Sequence, residues 1–245
     1  MLYGSVRLMA GFPPLFQSYA LSCKLQVEAV KSGKTTLPSS KIIFPSTILP
    51  LVNSGLLTRG PGVFGPTWIE LPKDPAQRSN RLREYSDSTD LSQVCGGPDV
   101  FNYLLNEIVD NIYQHSEFTR AMVLAKRFNE EKFTELAFLD DGLTIPKVLQ
   151  KHGRHLNQAR ALQAAASGTS TKGPERGYGL STSIRLVREG FKGDFLLVSG
   201  GAALSANREK TEEYVLDGSL ALEGTLVALR IPFMKKVERF YEYIS

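Results

Sequence analysis

The chain has 245 residues with an apolar share of 42% and an aromatic share of 9%, enough to bury the core of one large domain or two small ones. Lys and Arg outnumber Asp and Glu for a net charge of +4, but they are scattered rather than blocked, so a nucleic-acid surface is not indicated. No stretch approaches the roughly 20 apolar residues of a membrane span, and two distant cysteines, Cys23 and Cys95, form no metal-ligand pattern and read as reduced thiols of a cytoplasmic protein.

In chain order, residues 8–23 are apolar, but Pro13, Pro14 and Gln17 interrupt them, which suits folded chain rather than a signal peptide. Residues 24–30, 41–44 and 67–71 read as short strands, the last from the alternation in TWIEL. Between them, 48–57 is an apolar run suited to a short buried helix. Residues 72–89 are polar and charged and read as a connector, with an amphipathic trace at 80–85. Punctuation divides the chain near residue 95, into an amino-terminal α/β portion (1–95) and a second unit (96–245).

Past residue 95 the patterns lengthen. Phe101, Leu104, Leu105, Ile108, Val109 and Ile112 recur at helical spacing over 99–116, with Asp99 placed to cap the run. Residues 121–128 and 133–139 read as strands. A second helix is expected over 145–165, opened by Pro146, then a loop of small and charged residues at 167–177 and a third helix over 180–189. Strands at 194–199, 210–216 and 225–231 complete the set. Segregated helices and strands of this kind predict an α+β, two-layer sandwich: helices on one face of a mixed or antiparallel sheet, with the amino-terminal portion over the other.

Four patches carry candidate chemistry. In NEIVDNIYQHS, Glu107, Asn111 and His115 are spaced four apart and line one helix stripe. A carboxamide oxygen is a hard ligand for Mg²⁺, and a carboxylate one turn away can orient or deprotonate a nucleophile. In FLDDGLTIP an apolar strand ends in two acids and Gly142, so a carboxylate there can accept from an exocyclic amine while the glycine permits close backbone approach. In SGTSTKGPERGYGL, Gly177 and Gly179 free the backbone at a helix start that favours anions, and Lys172 and Arg176 add positive charge. In EGTLVALRIP, Gly224 and Thr225 open an alternating strand. Taken singly, each patch also fits an ordinary solvated helix face, Asp-Gly turn, flexible connector or strand start.

Together and in this order, the four patches resemble the GHKL superfamily, which joins gyrase, the Hsp90 chaperones, histidine kinases and MutL through a shared nucleotide site, the Bergerat fold. Glu107-x-x-x-Asn111 resembles the first box, Asp140-x-Gly142 the second, Gly177-x-Gly179-Leu180 the third and Gly224-Thr225 the late Gly-Thr element. The resemblance covers roughly residues 96–233. It implies that ATP and Mg²⁺ are the cofactors: Asn111 coordinates Mg²⁺, Asp140 accepts from the adenine amino group, and Gly142 and Thr225 shape the base pocket. Gly177, Gly179 and Leu180 then wrap the phosphates from a lid helped by Lys172 and Arg176, and Glu107 is the base where chemistry occurs. Asp110 matches a supporting acid of the gyrase-like branch. One departure is Thr144, which stands where the family often has a second glycine.

None of the three histidines, His115, His152 and His155, precedes the first box, so self-phosphorylation of the classical histidine-kinase type is disfavoured. Glu107-x-x-x-Asn111-x-x-x-His115 is similar to the first box of anti-sigma-factor serine kinases, which act on a small protein partner. The amino-terminal portion faintly resembles a STAS domain, the usual partner of those kinases. The expectation is thus an Mg-dependent ATP-binding protein, a serine/threonine-kinase-like or ATPase regulator of a protein partner. A non-catalytic ATP-gated switch and a nucleic-acid-associated ATPase are the competing readings. A homodimer is an open option; a membrane partner is not expected.

Overall fold

A computed structural model describes residues 12–33, 44–57, 68–168 and 179–244. The chain enters through helix α1 (Pro14–Lys31), whose Leu15, Phe16, Tyr19, Ala20 and Cys23 are buried. Residues 24–30, expected as a strand, are the second half of this helix. This half is a half-exposed helical end rather than a pleated face: Ala29 is buried and Leu25 packs against the core, while Val30 is 78% exposed. Helix α2 (Pro45–Asn53) starts three residues before the expected apolar run and stops at Asn53. Of the strand expected at 41–44, only Phe44 lies among the described residues, where it forms the extended N-cap of α2.

Strand β1 (Trp68–Glu70) follows, and then helix α3 (Pro75–Thr89) occupies the segment read as a connector. Its sequence is too polar to give a periodic signal; only Leu82, Tyr85 and Ser86 are buried. What starts it is local: the Asp74 side chain accepts from Ala76 N at 2.9 Å, with Pro75 at the first helical position. Helix α4 (Pro98–His115) is capped by Gly97, in the left-handed region at φ +94°, and not by Asp99, which lies in the first turn.

Strands β2 (Ala121–Phe128) and β3 (Phe133–Asp140) come next, as expected. The single helix expected over 145–165 is two, α5 (Ile145–Lys151) and α6 (Gln158–Ala166). Gly153 at φ +76° terminates the first, and the Asn157 side chain caps the second by accepting from Arg160 N. Helix α7 (Gly179–Arg185) widens into a π turn at Leu186–Gly190. Strand β4 (Asp194–Gly200) then pairs with β5 (Ala202–Ala206), which the sequence reading missed because AALSA carries weak strand propensity. Strands β6 (Thr211–Val215) and β7 (Leu222–Pro232) and a short terminal helix, α8 (Phe240–Ile244), complete the described chain.

Among the described residues the strands form one sheet in the order β1-β2-β3-β7-β4-β5-β6, antiparallel throughout. The architecture is the α+β sandwich expected. Alternate residues of the central strands serve opposite faces. Phe138, Leu197 and Val227 pack with Phe101, Leu104 and Ile108 of α4, while Leu139, Leu196 and Leu226 pack with α1 and α2. Both faces are dry, so these strands read as continuous apolar runs (LAFL, FLLV, LVAL) rather than as strict alternation. The amino-terminal portion thus contributes both a cover for the second face and the edge strand β1, paired to β2 from Trp68↔Leu124 to Glu70↔Met122.

One buried charge ties that cover down. Glu135, fully buried in β3, accepts from Ser46 N at 3.0 Å and Ser46 Oγ at 2.6 Å, at the first turn of α2. Its other oxygen accepts from Arg230 Nη2 at 3.0 Å, cross-strand on β7, and the Arg230 guanidinium lies over Phe44 and Phe133. Guanidinium and helix N-terminus thus satisfy the carboxylate from two sides, while Arg230 Nε is buried without a hydrogen-bond partner. Glu135→Ala strands the guanidinium and the helix donors together, and is expected to cost about 3–5 kcal/mol of unfolding free energy. Denaturant titration against wild type checks this, with Glu135→Gln expected to lose clearly less.

Candidate functional site

The apolar face of α4 is anchored in the core by Phe101, Leu104, Leu105, Ile108, Val109 and Ile112. That anchoring turns the stripe of Glu107, Asn111 and His115 toward a cavity of about 490 Å³ between α4, α5, α7 and the sheet. Asn111 Nδ2 donates to the Glu107 backbone carbonyl at 2.8 Å, which leaves Oδ1 as the amide atom offered to a cation. The Glu107 carboxyl is half-buried and raised above its ordinary range, first by burial and second by Asp110. Gly179, the first described residue after the loop, lies against this pair: a Cβ there would collide with Glu107 Oε2 and sit 3.4 Å from Asn111 Nδ2. Beside it, Tyr103 and Thr182 share a hydroxyl hydrogen bond of 2.9 Å.

The second corner forms where β3 ends. Asp140 is buried and pairs in register with Thr225 on β7. Its Oδ1 accepts from Gly142 N at 3.0 Å. Burial pushes the Asp140 carboxyl up to about 7, with the Gly142 N–H opposing that rise and Asp141 adding to it. The adjacent Asp141 does different work: its Oδ1 accepts from Thr119 N and Arg120 N, both at 2.7 Å, and fixes the turn between α4 and β2. Sequence alone could not divide the two acids in this way.

Glycine is required at two contacts here. A Cβ on Gly142 would overlap the Ser116 carbonyl oxygen, and one on Gly224, at φ +99°, would overlap the Asp140 carbonyl oxygen. Thr225 Oγ1 shares a hydrogen bond of 2.9 Å with Ser199 Oγ, which also receives Ile145 N at 2.9 Å. Thr144, where the resemblance leads one to expect glycine, has φ −69° and ψ 151° as the N-cap of α5. That conformation suits any L-residue, so the position makes no demand for glycine.

Eight of the residues singled out from sequence line this one cavity: Glu107, Asp110, Asn111, His115, Asp140, Gly179, Leu180 and Thr225. Gly142 underlies it through Ser116, which is itself a lining residue. Lys172, Arg176 and Gly177 lie outside the described residues. Apolar walls come from Ile108, Phe138, Val148, Leu149, Leu197 and Val227. Ser116 lies five residues past Asn111 and nine past Glu107 along α4, a rise of about 8–13 Å between the two corners. The reading from sequence missed Ser116, Ser199 and Tyr103, whose only signal is polarity beside buried positions.

Among the described residues, no group of three or more His, Cys, Asp or Glu side chains is arranged to hold a metal. A cation bound through one amide oxygen, with the rest of its shell from phosphate and water, needs no such group, and Asn111 fits that role. No family model and no curated protein matches this chain.

The environment of Asp140 has a measurable consequence. The folded protein keeps this proton up to about pH 7, whereas an unfolded chain releases it near 4, so stability falls as pH rises through that window. Asp140→Asn removes the penalty while keeping an oxygen for Gly142 N. Thermal unfolding is expected to show the variant more stable than wild type by roughly 1–3 kcal/mol at about pH 8, with little difference near pH 4.

Proposed function

We propose that this chain is an Mg²⁺-dependent ATP-binding protein of the GHKL type, and that it phosphorylates or regulates a protein partner in the manner of anti-sigma-factor serine kinases. The observation that carries the proposal is the convergence of sequence-distant patches on one cavity. Residues from α4, the β3 end, the start of α7 and β7 meet there.

The cavity's character supports the nucleotide. Its apolar walls suit the faces of a purine, and a buried carboxylate at one corner suits the exocyclic amine. About 8–13 Å away along α4, Glu107, Asn111 and the Gly179 backbone form a compact polar corner suited to phosphates. There Asn111 offers its amide oxygen to Mg²⁺, and the cation, when bound, would neutralise charge on the transferring phosphoryl group. Glu107, with its raised affinity for a proton, accepts one from an incoming Ser or Thr hydroxyl. The resemblance adds Lys172 and Arg176, outside the described residues, as the expected cationic helpers. Cys23 and Cys95 are both free, which fits the reducing cytoplasm we propose as its compartment.

Calorimetry with Mg-ATP tests the binding step. Wild type is expected to bind, Asp140→Asn to weaken binding by about 10- to 100-fold despite its greater stability, and Glu107→Ala to bind within a few-fold of wild type. Absence of heat with every adenine nucleotide sinks the reading. With a candidate partner protein and labelled ATP, Glu107→Ala is expected to abolish phosphotransfer. Nucleotide-dependent partner affinity without any phosphoprotein would instead identify a gated switch.

A further inference from the structure

This inference rests on the nucleotide reading above and concerns a residue outside the resemblance. Helix α3 and the chain leading into it dock on α4 at three points. Arg78 Nη1 lies 2.6 Å from Asp110 Oδ1, the Arg78 guanidinium sits over the Tyr113 ring at 5.4 Å, and the Tyr113 hydroxyl donates to the Pro72 carbonyl. Asp110 is no remote surface acid. It lines the cavity beside Asn111, three residues from Glu107 on the same helix.

The electrostatics of that corner pose a problem for an anion. Glu107 and Asp110 bring two carboxylates to it, and among the described residues lining the cavity none is Lys or Arg. The influence of Asp110 is already felt at Glu107, where it adds to burial in raising that carboxyl. A phosphate chain entering beside them meets the repulsion of two carboxylates, which a guanidinium paired with Asp110 lowers in addition to whatever Mg²⁺ and the expected helpers Lys172 and Arg176 supply. Arg78 stands behind Asp110 and is only partly exposed, so its charge is incompletely screened by solvent.

We propose that Arg78 is a charge-compensating positioning residue, which neutralises Asp110 from behind so that the phosphates of a nucleotide can occupy the corner beside Glu107 and Asn111. The amino-terminal portion thereby contributes to nucleotide affinity without touching the nucleotide, and it does so in proportion to ligand charge.

The test is a ligand series, Mg-ATP, Mg-ADP and adenosine, titrated into wild type, Arg78→Gln, Asp110→Asn and the double variant. Arg78→Gln is expected to weaken Mg-ATP about tenfold or more and adenosine by no more than about twofold. The added Asp110→Asn is expected to restore Mg-ATP to within about threefold of wild type, and raising salt from about 0.05 to 0.5 M should shrink the Arg78→Gln deficit. A purely mechanical clamp between α3 and α4 would instead lose all three ligands alike, gain nothing from Asp110→Asn and ignore salt. Any of those three results overturns the role of Arg78 while leaving the nucleotide site standing. Failure of wild type to bind any of the ligands overturns the nucleotide reading itself, and this inference with it.

Discussion

Two backbone contacts, Ser116 carbonyl on Gly142 and Asp140 carbonyl on Gly224, govern how this molecule is put together. At both, the chains approach so closely that no side chain fits between them. The first joins the end of α4 to the turn after β3; the second joins β3 to the irregular start of β7. Asp140 is thereby held at the point where helix, turn and two strands converge. Its burial, its raised proton affinity and its register with Thr225 all follow from that closeness. A slightly wider approach would admit water beside Asp140 and remove the low-polarity setting that gives the carboxyl its character.

Acidic residues in this fold are sorted by what lies beside them. Asp141 closes a turn with two backbone N–H groups, while Asp140, one residue earlier, faces the cavity. Glu135 is sealed in the sheet between a guanidinium and a helix N-terminus. Glu107 and Asp110 share one helix, and Arg78 attends the second. A buried carboxylate is costly unless its surroundings satisfy it, so the unequal satisfaction of these groups separates structural from chemical roles. Glu135 is wholly satisfied and inert. Asp140 and Glu107 are less so, and both hold protons more tightly than free carboxylates do.

The amino-terminal residues belong to the same construction. Helices α1 and α2 close the sheet face opposite α4, β1 extends its edge, and α3 braces the outside of α4. The buried apolar side chains of α2, among them Ile48, Leu49 and Leu51, each contribute roughly 1.5–3 kcal/mol by leaving water. They leave it by covering Leu139, Leu196 and Leu226, whose neighbours in sequence form the cavity wall. Stability on one face therefore supports site geometry on the other.

The order of the long elements was legible because periodicity is a local property. The run Phe101 to Ile112 announces a helix, and the runs at 121–128 and 133–139 announce strands, since the face each must bury is written into its spacing. The four chemical patches were legible for a similar reason, as each couples a distinctive residue to a turn or helix start. Local signals failed where few apolar residues were involved, as in α3, or where weak propensity was overridden by pairing, as in β5. They failed again at 24–30, where alternation came from the half-exposed end of a helix. By itself, then, the sequence determined the α+β class and most of the elements past residue 95, though not β5 or the break between α5 and α6. Only the tertiary structure decided that Glu107, Asn111, Asp140, Gly179, Leu180 and Thr225 share a cavity, that Asp140 rather than Asp141 faces it, and that Arg78 stands behind Asp110. Those facts depend on contacts between residues far apart in the chain, which close packing of the folded molecule selects and local pattern does not encode.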